Sequence, residues 1–189
     1  MDLRTLILLI ALTGCASPSV APQDSASQAA AESAKPAELA ELDRMLGTWN
    51  GVAHSTILET GEVYEVRSKR LVQWEANGQF LMERTLTSVE GGPPTSSVCI
   101  WTWDRDAFRS WRFDSHGTIH ERRMHWNADR NALLMEMTSQ LRGEAEPSSA
   151  KGVMRFLSET EKTYEWTRCK PGSDEPWVKI KGESTRVSP

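Results

Sequence analysis

From Thr48 to the C-terminus the chain is cut by turn signals at short, regular intervals, and this punctuation constrains the fold more than any other feature. The breaks are Glu59-Thr60-Gly61-Glu62, Asn77-Gly78, Gly91-Gly92-Pro93-Pro94, Asp104-Arg105-Asp106, Asp114-Ser115-His116-Gly117, Asn127-Ala128-Asp129, Gly143 to Pro147, Ser158 to Glu161, and Pro171-Gly172-Ser173-Asp174. Asn, Asp and Gly tolerate the positive φ that tight hairpins demand. The runs between them are rich in Val, Thr, Trp, Phe and Tyr, which favour extended chain. Strands joined this tightly pair antiparallel with their sequence neighbours, because a parallel crossover needs a dozen or more residues. About nine or ten such strands must dispose of their edges, and closure does so. The expected fold is all-β: an antiparallel up-and-down barrel with one short helix before it.

Period-two patterning supports a wall with two unlike faces. In Val63 to Leu71, Glu65, Arg67 and Lys69 share one face while Tyr64, Val66 and Ser68 share the other. Arg109-Ser110-Trp111-Arg112-Phe113 alternates in the same way. If apolar parity marks the inside, Met82 with Arg84, Trp101 with Trp103, and Trp111 with Phe113 face inward. An arginine inside a barrel needs a carboxylate or a bound anion. Arg84, Trp101, Trp103 and Trp111 are therefore the candidate ligand-binding residues, suited to a small acid or an amphipathic molecule with an acidic head.

The first 46 residues read differently. Arg4 precedes the apolar run Leu6 to Leu12, which at its length is too short for a bilayer span of about 20 residues and has the order of an export signal. The ending Leu12-Thr13-Gly14-Cys15 resembles the lipobox of bacterial lipoproteins. That resemblance implies removal of residues 1–14, acylation of Cys15, and anchoring at the periplasmic face of the outer membrane, since Ala rather than Asp follows the cysteine. Residues 16–34 are mostly Ser, Ala, Gln and Pro, with too little apolar surface to offset chain entropy, so 15–35 reads as a lipidated cysteine and disordered tether. The domain proper is expected over 36–189. Leu39, Leu42, Met45 and Leu46 recur at helical spacing behind Pro36, and Gly47 ends the helix.

A net charge of -4 with interspersed signs excludes the clustered basic face that nucleic acid requires. Eight tryptophans, all between Trp49 and Trp177, mean an aromatic core or an aromatic-lined cavity. With Cys15 acylated, Cys99 and Cys169 remain to pair in an oxidising compartment, closing a long loop worth about 4 kcal/mol, or to stay as two separate thiols.

Other chemistry has thin support. The four histidines are His54, His116, His120 and His125, and no Cys or carboxylate joins them at a metal-ligand spacing, so no metal is expected. There is no nucleophile elbow, no His-Glu-x-x-His and no phosphate loop. Glu83 and Glu136 are strand carboxylates that could converge as an acid/base pair. No catalytic residue is assigned and no cofactor is expected.

Gly47-Thr48-Trp49-Asn50-Gly51 after a short helix resembles the Gly-x-Trp opening of lipocalin-like barrels. Trp103-Asp104-Arg105, Trp111 to Ser115 and Trp126 to Asp129 carry a further resemblance, from about Glu38 to Arg186, to the bacterial proteins grouped as domain of unknown function 1579. This implies a calyx-like barrel with an internal cavity and no established activity. It also implies structural roles for Gly47, Trp49 and Gly51, with Trp49 plugging the closed end under an arginine, Arg168 or Arg186. The nitrobindin-type haem barrels share the opening but use a late-strand histidine, which this chain does not have after residue 125.

Three function classes follow: a lipid-anchored module binding a small hydrophobic or amphipathic ligand, an interaction lipoprotein with a filled barrel, and an envelope enzyme using the cavity. A pocket of about 300 Å³ or more separates the first from the second.

Overall fold

The structure is a computed structural model that describes residues 37–188 apart from 77, 141, 142 and 144. The signal, Cys15 and the tether lie outside the described residues. Ten strands follow a short helical segment: β1 (Gly47–Ile57), β2 (Val63–Glu75), β3 (Phe80–Val89), β4 (Thr95–Asp104), β5 (Ala107–Asp114), β6 (Ile119–Trp126), β7 (Ala132–Gln140), β8 (Ser148–Phe156), β9 (Glu161–Cys169) and β10 (Pro176–Ser188). Each of the nine punctuations falls at a strand junction. Every neighbouring pair is antiparallel, and β1 pairs with β10 to close the barrel, so no edge is left open.

The helical segment is a single α-turn, α1 (Ala37–Ala40), running into a 3₁₀ turn over Glu41–Met45. Its buried residues are Leu39, Leu42 and Met45. That spacing of three is the 3₁₀ period, which puts i and i+3 in line, so one stripe of three side chains caps the barrel. Gly47 makes the bend into β1 with φ 98°, a conformation that a side chain disfavours.

Strand directions place Trp49, Trp74, Leu81, Trp103, Phe108, Trp126 and Phe156 at the end this segment covers. Asp43 accepts the Trp74 indole N–H at 2.7 Å. Arg44 lies over the rings of Trp126 and Phe156, at 5.7 and 4.2 Å, and Arg130 pairs with Glu41. One end of the barrel is thus sealed by aromatic packing and tied down by charge.

Candidate functional site

The inner wall is more polar than apolar parity predicts. On β3 the buried residues are Leu81, Glu83 and Thr85, and on β5 the inward row runs Phe108, Ser110 and half-buried Arg112. Arg84 and Trp111 therefore stand on the outer face, correcting the expectation that they line the interior. Arg84 is 3.7 Å from Glu75 with its side chain half exposed, and it borders an outer groove with Leu71, Leu86, Val98 and Phe113. The physical reason is that charge inverted the usual code: β3 and β5 turn their charged residues Glu83 and Arg112 inward and leave large apolar ones outside. Trp101 is fully buried and lines the cavity. Trp103 also turns inward but packs edge-on against Phe108, centroids 4.9 Å apart, at the sealed end. It does not border the cavity.

Trp49 is fully buried. Its indole N–H donates to the Met45 carbonyl oxygen at 2.8 Å, tying the 3₁₀ turn to β1. Arg186, not Arg168, lies over its ring at 4.8 Å, while Arg168 donates twice to Ser148 Oγ. A Cβ on Gly51 would come within 2.8 Å of both Ser184 Oγ and Ser68 Oγ, so a side chain there would force both serines to shift.

The central layer holds a cavity of about 220 Å³. Arg70 (β2), Arg112 (β5) and Arg122 (β6) enter it from three strands, around the single carboxylate of Glu83. Trp101, Tyr164 and Trp166, with Val66, Met135, Met154 and Ile180, supply its apolar surface. Two glycines make room for the aromatics: a Cβ on Gly152 would lie 2.5 Å from the Trp166 ring, and one on Gly182 2.5 Å from that of Tyr164. Each ring lies across its directly opposed partner, Gly152↔Trp166 and Gly182↔Tyr164.

The charges do not balance. Among the described residues the arginines in ion pairs are Arg67, Arg84, Arg109, Arg123 and Arg130. None of the three cavity arginines is among them. Among the described residues Arg112 Nε and Arg122 Nε are buried without an acceptor, while Arg70 lies over the Tyr164 ring at 5.0 Å and Arg122 over that of Trp166 at 5.6 Å. Burial pushes the Arg112 guanidinium down, and Arg122 beside it adds to this. Burial alone would raise the Glu83 carboxyl, but Arg70, Arg122, Lys162 and Arg112 together hold it below the usual range. It is therefore ionised, and Thr85 Oγ1 donates to it at 3.0 Å. Glu136 lies outside, 3.7 Å from Lys151, so the two carboxylates do not converge.

Toward the open end, His120 Nδ1 meets Ser139 Oγ at 2.7 Å and its Nε2 faces Asp114 Oδ2 at 3.5 Å. The order resembles a nucleophile, base and acid. Yet Ser139 is fully buried, and burial with Arg122 and Arg112 nearby pushes His120 down to about 4, too weak a base to take a hydroxyl proton. This series orders the rim. His116 bonds Thr95 Oγ1 at 2.9 Å, His54 and His125 are exposed, and among the described residues no metal-ligating group assembles.

Cys99 and Cys169 are free thiols, so the candidate disulfide is not formed. Their strands are not neighbours: Cys99 faces the interior, and Cys169 Sγ points to the Asp174 carbonyl at 3.5 Å. Burial raises the Cys99 thiol to about 11, which leaves it unreactive.

Sequence reasoning missed Arg70, Arg112 and Arg122. The available signal was their own parity: Arg70 lies in register with Val66 and Ser68, and Arg112 with Ser110.

No protein-family model and no curated protein matches this chain. Solved structures do. Rv2717c from M. tuberculosis superposes with a TM-score of 0.62 at 15% identity, covering 78% of this chain and 96% of that one. The S-type phycobiliprotein lyase CPES from Guillardia theta gives a TM-score of 0.54 at 11% identity, covering 77% and 89%. At these identities the likeness shows a shared lipocalin-like barrel fold.

Proposed function

We propose that this protein is a binding module for a small amphipathic acid, held at the cell envelope by lipid on Cys15. The observation that carries the reading is the cluster of half-buried Arg70, Arg112 and Arg122 lining one cavity, none of them among the ion pairs of the described residues. Buried charge is retained where something compensates it, and a bound anion does so here. The aromatic and methionine wall then takes the apolar part of the ligand.

The volume sets the size. At about 220 Å³ the cavity misses the roughly 300 Å³ that separates an ordinary ligand pocket from a filled barrel, so the reading rests on charge and not on volume. A cavity of that size takes a compact acid in preference to a long acyl chain.

Titration of the purified protein with benzoate and hexanoate, following Trp fluorescence, tests the binding. Both acids should bind, and benzamide and hexanol should bind at least about tenfold more weakly, the scale of a buried charge-assisted bond. Equal affinity for acids and neutral isosteres would overturn the reading. For the anchor, Cys15→Ser should move the protein out of the membrane fraction with loss of the acyl mass; unchanged fractionation and mass would remove that half of the proposal.

A further inference from the structure

We infer that the head group the cavity accepts is a doubly charged tetrahedral oxyanion, a phosphomonoester, in preference to a singly charged acid; this rests on the reading that the cavity binds a small acid. Three observations support it.

The first is charge. Arg70, Arg112 and Arg122 face one carboxylate, Glu83, whose ionisation they enforce. Two positive charges are left over before Lys162 is counted. A monoanion leaves at least one buried guanidinium uncompensated, whereas a dianion matches the excess.

The second is the number of donors. Arg70 and Arg122 lie over the rings of Tyr164 and Trp166, at 5.0 and 5.6 Å from the centroids, and a cation held over a ring face leaves N–H groups for an acceptor. Arg112 Nε, Arg122 Nε, Trp101 Nε1 and Ser68 Oγ belong to residues that line the cavity, and among the described residues each of these atoms is buried without a partner. A planar carboxylate has two oxygens to satisfy such a set. A phosphoryl group has three terminal oxygens, each a strong acceptor.

The third is space. Beside the cations, Trp101, Met135, Met154 and Ile180 bound the apolar part of a cavity of about 220 Å³. That volume takes one ring or a short chain beyond the head group, so the ligand is a small phosphorylated molecule and not a diacyl lipid.

Phenyl phosphate and phenyl sulfate separate these terms, because they share shape and oxygen count and differ by one charge. At about pH 8, well above the second phosphate ionisation near 6, calorimetric titration of the full chain should give phenyl phosphate an affinity at least about tenfold higher than phenyl sulfate. Arg112→Gln should reduce that preference to within about twofold, a change that a merely structural arginine would not produce. Phenyl sulfate binding as tightly as phenyl phosphate to the wild-type protein would overturn the dianion while leaving the acid-binding reading intact. Failure of both, and of benzoate, would overturn the acid-binding reading and this inference together. The wild-type comparison decides the matter even if Arg112→Gln does not fold.

Discussion

The ammonium of Lys162 lies 3.8 Å from the centroid of the Trp49 ring, with Arg186 at 4.8 Å from the same ring. One tryptophan thus carries two cations at the capped end of the barrel, where Arg186 also donates to the Arg44 carbonyl oxygen, and its N–H holds the 3₁₀ turn that forms the cap. Removing it does two things at once: it opens a cavity and leaves both cations without the π-face that compensates part of their desolvation.

Trp49→Ala is therefore expected to cost about 3–5 kcal/mol, the range for large aromatic truncations in a core. Against a total of about 5–15 kcal/mol for a domain, urea unfolding should show a much lower midpoint with an unchanged slope. Trp49→Phe keeps one aromatic face but loses the bond to Met45 and part of the buried volume. It should cost less than Trp49→Ala but more than the hydrogen bond alone, about 1 kcal/mol. A wild-type midpoint in Trp49→Ala would show that the cap does not depend on this side chain.

Lys162 predicts a pH dependence. Burial, then Arg70 and Arg186, push its ammonium down to about 7, with Glu83 opposing. Its folded value lies below its unfolded value, so between about pH 7 and 10 the unfolded chain binds the extra proton and stability rises with pH. Below pH 7 both states are protonated and the whole penalty remains. The slope for this one group approaches 1.4 kcal/mol per pH unit, about the worth of one pKa unit. Lys162→Met should flatten the stability curve over that window and be more stable than wild type at pH 6. Parallel curves for the two proteins across the window would refute the assignment.

Nine turns, ten strands, the closure and the position of Trp49 were legible because each rests on local chemistry: Asn, Asp and Gly at tight turns, and the Gly47-Thr48-Trp49 junction. The cavity was legible only in part. Apolar parity finds an inner face when the interior is oily, as it does for Trp101 and Trp103. It fails on β3 and β5, where Glu83 and Arg112 turn inward and Arg84 and Trp111 turn out. The uncompensated cations Arg70, Arg112 and Arg122 come from β2, β5 and β6, and nothing local to one strand announces that they converge.

Gly152→Ala tests how the aromatic wall is built. The new methyl would lie 2.5 Å from the Trp166 ring and 2.7 Å from the Glu165 carbonyl oxygen. The ring can swing, but only into the cavity, and the backbone oxygen cannot. A cost of about 1–3 kcal/mol is expected, as for other overpacked sites, together with loss of small-acid binding. Thermal melting and the fluorescence titration read the two effects separately. A variant that melts lower but binds normally would place Trp166 outside the binding surface.

The two faces of the wall carry arginines in opposite circumstances. Arg84 pairs with Glu75 at 3.7 Å, and both side chains are more than a third exposed; such pairs contribute about 0–1 kcal/mol after solvent screening. Arg84→Gln should therefore leave stability within about 0.5 kcal/mol of wild type, as is usual for surface changes, and should leave acid binding unaltered. Arg122→Met keeps much of the side chain's length, removes one buried guanidinium, and frees Trp166 from its stacked cation. It should be at least as stable as wild type, because an uncompensated buried charge has gone, while benzoate affinity falls at least about tenfold. A more stable protein that has lost its ligand is the signature of a charge kept for binding and not for folding. Should Arg84→Gln abolish binding while Arg122→Met retains it, the ligand sits in the outer groove beside Leu86 and Phe113, and the cavity is only a core.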